Sequence, residues 1–336
     1  MGASKLLTAL LPLSHRSPMP QWTIVITEPI NEAGVRLLEE RGVKVVALPI
    51  GAKEDALLRV APEADGLITR GGVNVNRGMM EASPRLRVIG VHGIGCDHVD
   101  LVAARELGKV VLNTPDALTV TVAEMSVALM LSMTRRVASA DKAVRAGGWA
   151  RKYGDLIGAE LMGKTVGLVG MGRIGAATAR RLRAFDVNLL YWSRTRHKEI
   201  EVEIGIEWAE LPALLARSDV ISIHLPGSPE THHIIGAKEL SQMRRGAMIV
   251  NTARGRVIDE AALVEALRSG HISSAGLDVF ELEPIKPDNP LLGMDNVVLT
   301  PHLGASSLEA MRRMATQVAK GVLDTLEGRE PPNRVT

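Results

Sequence analysis

Residues 163–194, GKTVGLVGMGRIGAATARRLRAFDVNLLYWSR, constrain the fold of this chain more than any other stretch. Thr165–Val169 is short and apolar, the turn Gly170-Met171-Gly172-Arg173-Ile174-Gly175 follows at once, and an Ala/Arg/Leu-rich helical pattern continues from it. Residues 187–192 then supply a second strand. A G-x-G-x-x-G turn between a buried strand and a helix suits a dinucleotide. Gly170 makes the tight turn, Gly172 lets the backbone approach a pyrophosphate, and Gly175 lets the helix pack closely on the strand. Unpaired N–H groups at the helix start, around Arg173 and Ile174, would receive the phosphates, where the helix dipole favours negative charge.

From Trp22 onward, strand and helix patterns alternate. Residues 23–26, 43–48, 66–69, 86–91 and 110–112 read as strands, with helices over 32–41, 53–60, 77–82 and 100–107. This alternation implies right-handed crossovers and an open parallel sheet. Asn113-Thr114-Pro115 marks a boundary, because the residue before proline is pushed out of the helical region. Residues 120–146 predict one long helix, apolar on most sides and ended by Gly147-Gly148. It fits either a helix that joins two units and adds to a subunit interface, or an ordinary core helix. Beyond the glycine turn, strands are expected at 219–225, 247–252, 274–279 and 297–300, and helices near 209–216, 237–243 and 259–269. A last amphipathic helix over 306–326 is placed to cross back to the first unit.

With 336 residues the chain is long enough for two domains. Forty Lys and Arg against thirty-eight Asp and Glu leave a formal charge of +2, with no basic run that would suit nucleic acid. Four Trp, two Tyr and two Phe leave the core to Val, Leu, Ile, Ala and Met, as in a parallel sheet covered by helices. Cys96 is the sole cysteine, so no intrachain disulfide can form and a reducing compartment is expected. Residues 1–20 read as a flexible extension, with Met19 a candidate start. Their apolar run is too short to span a membrane, and a cytoplasmic location is the simplest reading.

In open α/β sheets ligands bind beyond the carboxyl ends of the strands. Arg254, Glu283 and His302 each follow a predicted strand. Singly, each has an ordinary reading as a turn charge, a solvated acid or a helix cap. Together they supply a fixed cation, a carboxylate and an imidazole. That set suits a carbonyl beside a carboxylate: the arginine grips the acid, the imidazole gives or takes a proton, and the carboxylate favours the charged imidazole. His92 and His98 lie close to a glycine turn, whereas His197, His232 and His233 read as solvated loop residues. The histidine and acid spacings suggest no metal motif.

The stretches ELMGKTVGLVGMGRIG, SDVISIHLPGSPETHHIIG, MIVNTARGRVIDEAAL, AGLDVFELEP and LTPHLGAS, in this order and spacing, resemble the NAD(P)-dependent D-isomer-specific 2-hydroxyacid dehydrogenases from Trp22 to Pro331. The resemblance implies a flavodoxin-like substrate domain, 21–116 with 303–336, and an inserted Rossmann domain, 117–302. Each is an α/β domain on a doubly wound parallel sheet, and cleft closure and a homodimer are implied as well. It makes Arg254 the substrate-gripping arginine, Glu283 the acid paired to histidine, and His302 the proton donor or acceptor. Backbone N–H groups at Ile94 and Gly95 would bind the substrate carboxylate, and Asp278 would hold the nicotinamide carboxamide. Pro226, Thr231, Thr252, Ala253 and Gly304 would line the cofactor.

Two departures matter. Where NAD-preferring members place an acid after the second Rossmann strand, this chain has Ser193-Arg194-Thr195-Arg196, so a 2′-phosphate meets no repulsion and NADP(H) is expected over NAD(H). Pro226-Gly227-Ser228-Pro229 stands where the family more often has Pro-Leu-Thr. TPHLGAS and TRGGVNV resemble the phosphoglycerate dehydrogenase branch, with Arg70 near a substrate phosphate, while SRTR resembles glyoxylate and hydroxypyruvate reductases. The chain stops after one further helix, with no room for a regulatory domain, which points to reduction of glyoxylate or hydroxypyruvate. Glu283 disfavours formate dehydrogenase, which pairs its histidine with glutamine. The C-terminal-binding corepressors, which bind NAD(H) and act through protein partners, are the alternative of another class; the lack of long tails argues against them.

Overall fold

The computed structural model describes residues 22–336, so the expected extension over 1–20 lies outside the described residues. Two parallel sheets organise the chain. The first contains β1 (Thr23–Ile26), β2 (Lys44–Ala47), β3 (Gly66–Thr69), β4 (Val88–Val91) and β5 (Val110–Leu112), in the order β2-β1-β3-β4-β5. Its crossovers are α1 (Glu32–Glu39), α2 (Glu54–Val60), α3 (Arg77–Glu81) and α4 (Leu101–Glu106). Asn31, Asn76 and Asp100 start three of these helices by accepting a backbone N–H of the first turn. β1, β3 and β4 are buried along their whole length, while β2 is partly exposed at the edge.

The second sheet follows two connecting helices, α5 (Thr119–Thr134) and α6 (Val137–Arg145). It contains β6 (Thr165–Val169), β7 (Asn188–Trp192), β8 (Glu207–Trp208), β9 (Val220–Ile223), β10 (Ala247–Asn251), β11 (Ile272–Leu277) and β12 (Val297–Leu299). Their order is β12-β11-β10-β9-β6-β7-β8, the doubly wound arrangement in which direction reverses between β6 and β9. Helices α7 (Arg173–Leu182), α8 (Lys198–Ile204), α9 (Leu211–Arg217), α10 (Ala237–Gln242) and α11 (Glu260–Arg268) cover it.

One sequence expectation fails here. Residues 120–146 are not one helix, because Arg136 adopts a left-handed conformation, φ +52°, and the chain turns between α5 and α6. No glycine or proline marks this break, so the sequence pattern alone did not reveal it. The last helix, α12 (Leu308–Leu326), packs on the first sheet: Val318, Ala319, Val322 and Leu323 share a core with Ile24, Ile68, Val88 and Leu112. β4 carries Gly90 beneath it, where a Cβ would lie 2.5 Å from Val318 Cγ2.

Between the two sheets, Ala117, Leu118, Val122, Ala310 and Met314 form a small apolar cluster joined by Ile94 and Ile174. The carboxyl ends of β4 and β6 therefore meet at a common base. Among the described residues no helix is long and apolar enough to cross a membrane.

Candidate active site

The three ionisable residues singled out in the sequence all leave the carboxyl ends of strands in the second sheet. Arg254 lies three residues past β10, Glu283 six past β11, and His302 three past β12. Glu283 Oε2 accepts a 2.7 Å hydrogen bond from His302 Nδ1, and Glu283 Oε1 accepts the Phe280 N–H at 3.0 Å. The Glu283 hydrogen bond raises the His302 pKa above its ordinary value, outweighing burial. Burial alone would raise the Glu283 carboxyl. The bonds from His302 and Phe280, with the charges of His302 and Arg254, outweigh it and hold the carboxyl below its ordinary value.

His302 has φ +54°, a conformation seldom adopted by residues other than glycine. Its N–H is fixed there by the carbonyls of Asp278 and Thr300, at 2.9 and 3.0 Å. The Asp278 side chain, 1% exposed, completes the clamp. Its Oδ1 accepts from Thr300 Oγ1 at 2.5 Å and Leu303 N–H at 2.8 Å, and its Oδ2 accepts from Gly304 N–H at 2.7 Å. Asn251 plays a similar part for the arginine. Its Oδ1 accepts the Ala253 N–H at 3.0 Å and its Nδ2 donates to the Arg254 carbonyl at 2.8 Å.

Arg254 reaches the other sheet. Its Nε and Nη2 donate to Asp97 Oδ2, at 3.0 and 2.9 Å, in the loop that follows β4. The guanidinium covers Gly95, where a Cβ would lie 1.5 Å from Nη2. Gly95 thus lies against Arg254, while Ile94 packs against the Ala117 cluster. Arg70, after β3, donates from Nη1 to the Pro29 carbonyl at 2.9 Å, with Nη2 3.8 Å from Met311 Sδ.

The glycine turn joins β6 to α7 at the point where strand order reverses. Gly170 has φ +106° and would carry a Cβ 2.5 Å from the His224 carbonyl oxygen; at Gly175 a Cβ would meet the Gly170 carbonyl at 2.3 Å. Gly172, by contrast, has nothing within 4 Å, and no side chain caps α7. The turn is packed where the protein needs it closed and open where a phosphate would approach. Thr252 hydrogen-bonds Ser126 of α5 at 2.7 Å, and Thr231 closes the 226–231 loop by donating to the Pro226 carbonyl at 2.7 Å.

Residues 127–304 match the family model described as D-isomer specific 2-hydroxyacid dehydrogenase, NAD binding domain. The chain belongs to this family. It is 42% identical over 314 residues to a glyoxylate reductase of Thermofilum pendens, covering 92% of this chain and 93% of the relative. It is also 42% identical to a D-3-phosphoglycerate dehydrogenase of Methanocaldococcus jannaschii, covering 93% of this chain but only 59% of the longer relative. The fold superposes with TM-score 0.82 on the NADPH-dependent glyoxylate/hydroxypyruvate reductase of Sinorhizobium meliloti crystallised with NADP and malonate. That match has 32% identity and covers 94% of this chain and 97% of that one. The protein is accordingly a D-2-hydroxyacid dehydrogenase that uses a nicotinamide dinucleotide and acts on a small molecule.

The segment after β7, expected from the sequence to meet the adenosine end of the cofactor, is held by its own contacts. Ser193 Oγ donates to the Thr195 carbonyl at 2.5 Å. Arg196 is committed elsewhere: Nε and Nη2 each lie 2.7 Å from a Glu201 oxygen, and its guanidinium stands over the Trp208 ring. Arg173 pairs with Asp116 at 3.3 Å.

Several participants escaped the sequence reading. Asp97 and Asn251 carry no motif that marks them as partners of Arg254. His233 is no free loop residue, since Nε2 bonds Glu281 at 2.8 Å, two residues before Glu283. His232, His233 and Glu281 form the one such trio of potential metal ligands among the described residues. The two imidazoles stack 3.9 Å apart with their planes inclined by 27°, and the Nε2 of His233 is taken by Glu281. His92 is buried and its pKa is pushed down to about 4, first by burial and then by the Arg70 charge.

The clamp on the histidine loop gives a direct test. Asp278→Ala strands the Leu303 and Gly304 N–H groups and frees the His302 loop, so unfolding stability should fall by about 1–3 kcal/mol. The looser geometry should cut kcat/KM at least about tenfold. Denaturant titration and steady-state kinetics check both.

Proposed function

We propose that the protein reduces glyoxylate or hydroxypyruvate to the D-2-hydroxy acid, and that Arg254, Glu283 and His302 carry the reaction. The observation that supports this most directly is the His302–Glu283 pair beside Arg254, set across the cleft from the loop bearing Ile94 and Gly95. Arg254 and the Ile94 and Gly95 N–H groups hold the substrate carboxylate, and Arg254 polarises the neighbouring carbonyl. A nicotinamide held by the glycine turn and the strand ends would supply the hydride. Because Glu283 occupies His302 Nδ1, the proton for the developing alkoxide leaves from Nε2, and the Glu283 carboxylate stabilises the charged imidazole until then. Gly170, Gly172, Arg173, Ile174 and Gly175 receive the pyrophosphate, while Pro226, Thr231, Thr252, Ala253, Asp278 and Gly304 line the rest of the cofactor.

Phosphoglycerate oxidation is the second reading, carried by the relative of that name. Arg70 donates from Nη1 to the Pro29 carbonyl and keeps further N–H groups that could meet a phosphate. NADP(H) is the proposed cofactor, with Ser193, Arg194 and Thr195 around its 2′-phosphate. The supporting observation is the absence of an acid at the end of β7, and the S. meliloti neighbour is NADPH-dependent. We also propose a homodimer built on α5, α6 and the segment beyond, where Val137, Val144, Trp149, Tyr153 and Ile157 are exposed together.

Turnover of glyoxylate, hydroxypyruvate and phosphohydroxypyruvate with NADPH and NADH tests the assignment. A protein that binds cofactor but reduces none of them would act as a binding module instead. His302→Ala should lower kcat on the order of a hundredfold with little change in cofactor affinity. Reduction needs protonated His302, whose pKa is raised, so kcat/KM should hold level at low pH and decline only above the ordinary histidine value. Glu283→Gln should move that decline to lower pH, and an unmoved profile would remove the pair from the mechanism. Ser193→Asp should shift the NADPH to NADH preference at least about tenfold against NADPH; an unchanged ratio would show that this position does not read the phosphate. Sedimentation equilibrium should give a dimer that Trp149→Glu weakens, and a wild-type monomer would refute the interface.

A further inference from the structure

Arg254 offers five N–H donors, and the structure records where three of them go. Nε and Nη2 both donate to Asp97 Oδ2, at 3.0 and 2.9 Å, and Nη1 donates to the carbonyl of Ala253 at 2.7 Å. The side edge of the guanidinium, Nε with Nη2, is therefore taken by Asp97. Only the terminal edge, one N–H each from Nη1 and Nη2, is left without a protein acceptor among the described residues. Asp97 comes from the loop after β4 and Arg254 from the turn after β10, so this pair bridges the two sheets across the cleft.

The surroundings are shaped to admit the pair. At Gly227 a Cβ would lie 2.9 Å from Asp97 Oδ1 and 3.2 Å from Arg254 Cγ, and at Gly95 a Cβ would lie 1.5 Å from Arg254 Nη2 and 2.6 Å from Asp97 Oδ2. Any side chain at either position would displace the carboxylate or the guanidinium. Two glycines from two different loops leave room for one ion pair. The Asp97 side chain remains half exposed, so its Coulomb attraction alone is modest. Fixing a planar fork in one orientation is the larger effect, because a guanidinium recognises a carboxylate through two parallel donors that must face it together.

We infer that Asp97 is a positioning residue: it holds Arg254 by its side edge and so presents the terminal edge to the 2-oxo acid. Gly227 is the space that this arrangement requires. The inference rests on the proposed role of Arg254 in gripping substrate.

The experiment compares wild type, Asp97→Ala, Asp97→Asn and Gly227→Ala at saturating cofactor. Kinetics on glyoxylate are read together with calorimetric binding of oxalate to the enzyme–cofactor complex. Asp97→Ala should raise KM for glyoxylate and Kd for oxalate by about tenfold or more, with a smaller fall in kcat. Cofactor affinity and the pH of the His302-linked decline should stay unchanged. Asp97→Asn keeps one oxygen for the side edge and should recover a large part of the loss. Gly227→Ala should shift KM in the same direction by less. Values for Asp97→Ala within twofold of wild type would overturn the inference. A fall in KM or in oxalate Kd would overturn it too, showing that Asp97 competes with substrate for Arg254. If wild type reduces no 2-oxo acid, the functional reading beneath it is overturned instead, and oxalate binding still reports whether Asp97 orders the arginine.

Discussion

Asp278 leaves β11 with its side chain buried, and an acid in that position is costly unless donors close around it. Here Thr300, Leu303 and Gly304 supply the donors, all from the segment that carries His302. That segment cannot relax without uncovering the acid, and this is why His302 can be kept in a left-handed conformation. With the histidine backbone fixed, Glu283 needs only its own short loop to reach Nδ1. At Gly255 a Cβ would fall 1.9 Å from the Phe280 carbonyl, so the arginine turn and the glutamate loop are pressed together. The three ionisable groups thus stand on one interlocked set of strand ends rather than on independent loops.

Much of this was readable without coordinates, for a physical reason. Strand, glycine turn and helix are coded by local chemistry, and strand ends in a parallel sheet converge on one side whatever the details of the loops. So Gly170, Gly172, Gly175, Arg254, Glu283 and His302 stood out from spacing alone. Pairing between distant loops has no such local signal. Asp97 lies in the loop of Ile94 and Gly95, which the sequence already marks, but it sits 157 positions from Arg254 and no local signal pairs the two. The break between α5 and α6 was hidden for the opposite reason: Arg136 supplies the left-handed turn without the glycine or proline that usually announces one. His233 was misread because its partner, Glu281, lies 48 positions away.

The path of the chain explains how the halves can cooperate. It leaves the first sheet through Ala117 and Leu118 and returns through Ala305 and Ala310, and these four residues pack in or against one cluster with Ile94 and Ile174. The loop after β4 and the glycine turn after β6 therefore rest on the same apolar base, close to both crossings. Motion about those crossings would change the distance between strand ends far more than the packing inside either sheet, since each sheet keeps its own core. Arg254 is the one member of the triad with a direct bond to the opposite sheet. A change in the spacing of the two sheets would consequently be felt directly at Arg254.

The adenosine end shows how a local vacancy of charge can be misjudged. The acid missing after β7 suggests a cluster of arginines free for a phosphate, yet Glu201 of α8 comes back to occupy one of them. It is held in place by the buried Tyr191 hydroxyl at 2.8 Å as well as by Arg196. Arg196 lowers the Glu201 pKa to about 2, so the acid stays charged and the pair stays closed throughout the physiological range. A second acid, Glu230, stands close enough to Arg194 for that charge to help hold its carboxyl below the ordinary range, after Ser228. Under the proposed NADP(H) reading, a 2′-phosphate would then meet Arg194 with the Ser193 and Thr195 hydroxyls, one full charge rather than two. One guanidinium shared with a nearby carboxylate discriminates less steeply than a dedicated pair would. On the proposed reading, the cofactor preference would depend on what Glu201 leaves over, and a few substitutions at the end of β7 would most easily reverse it.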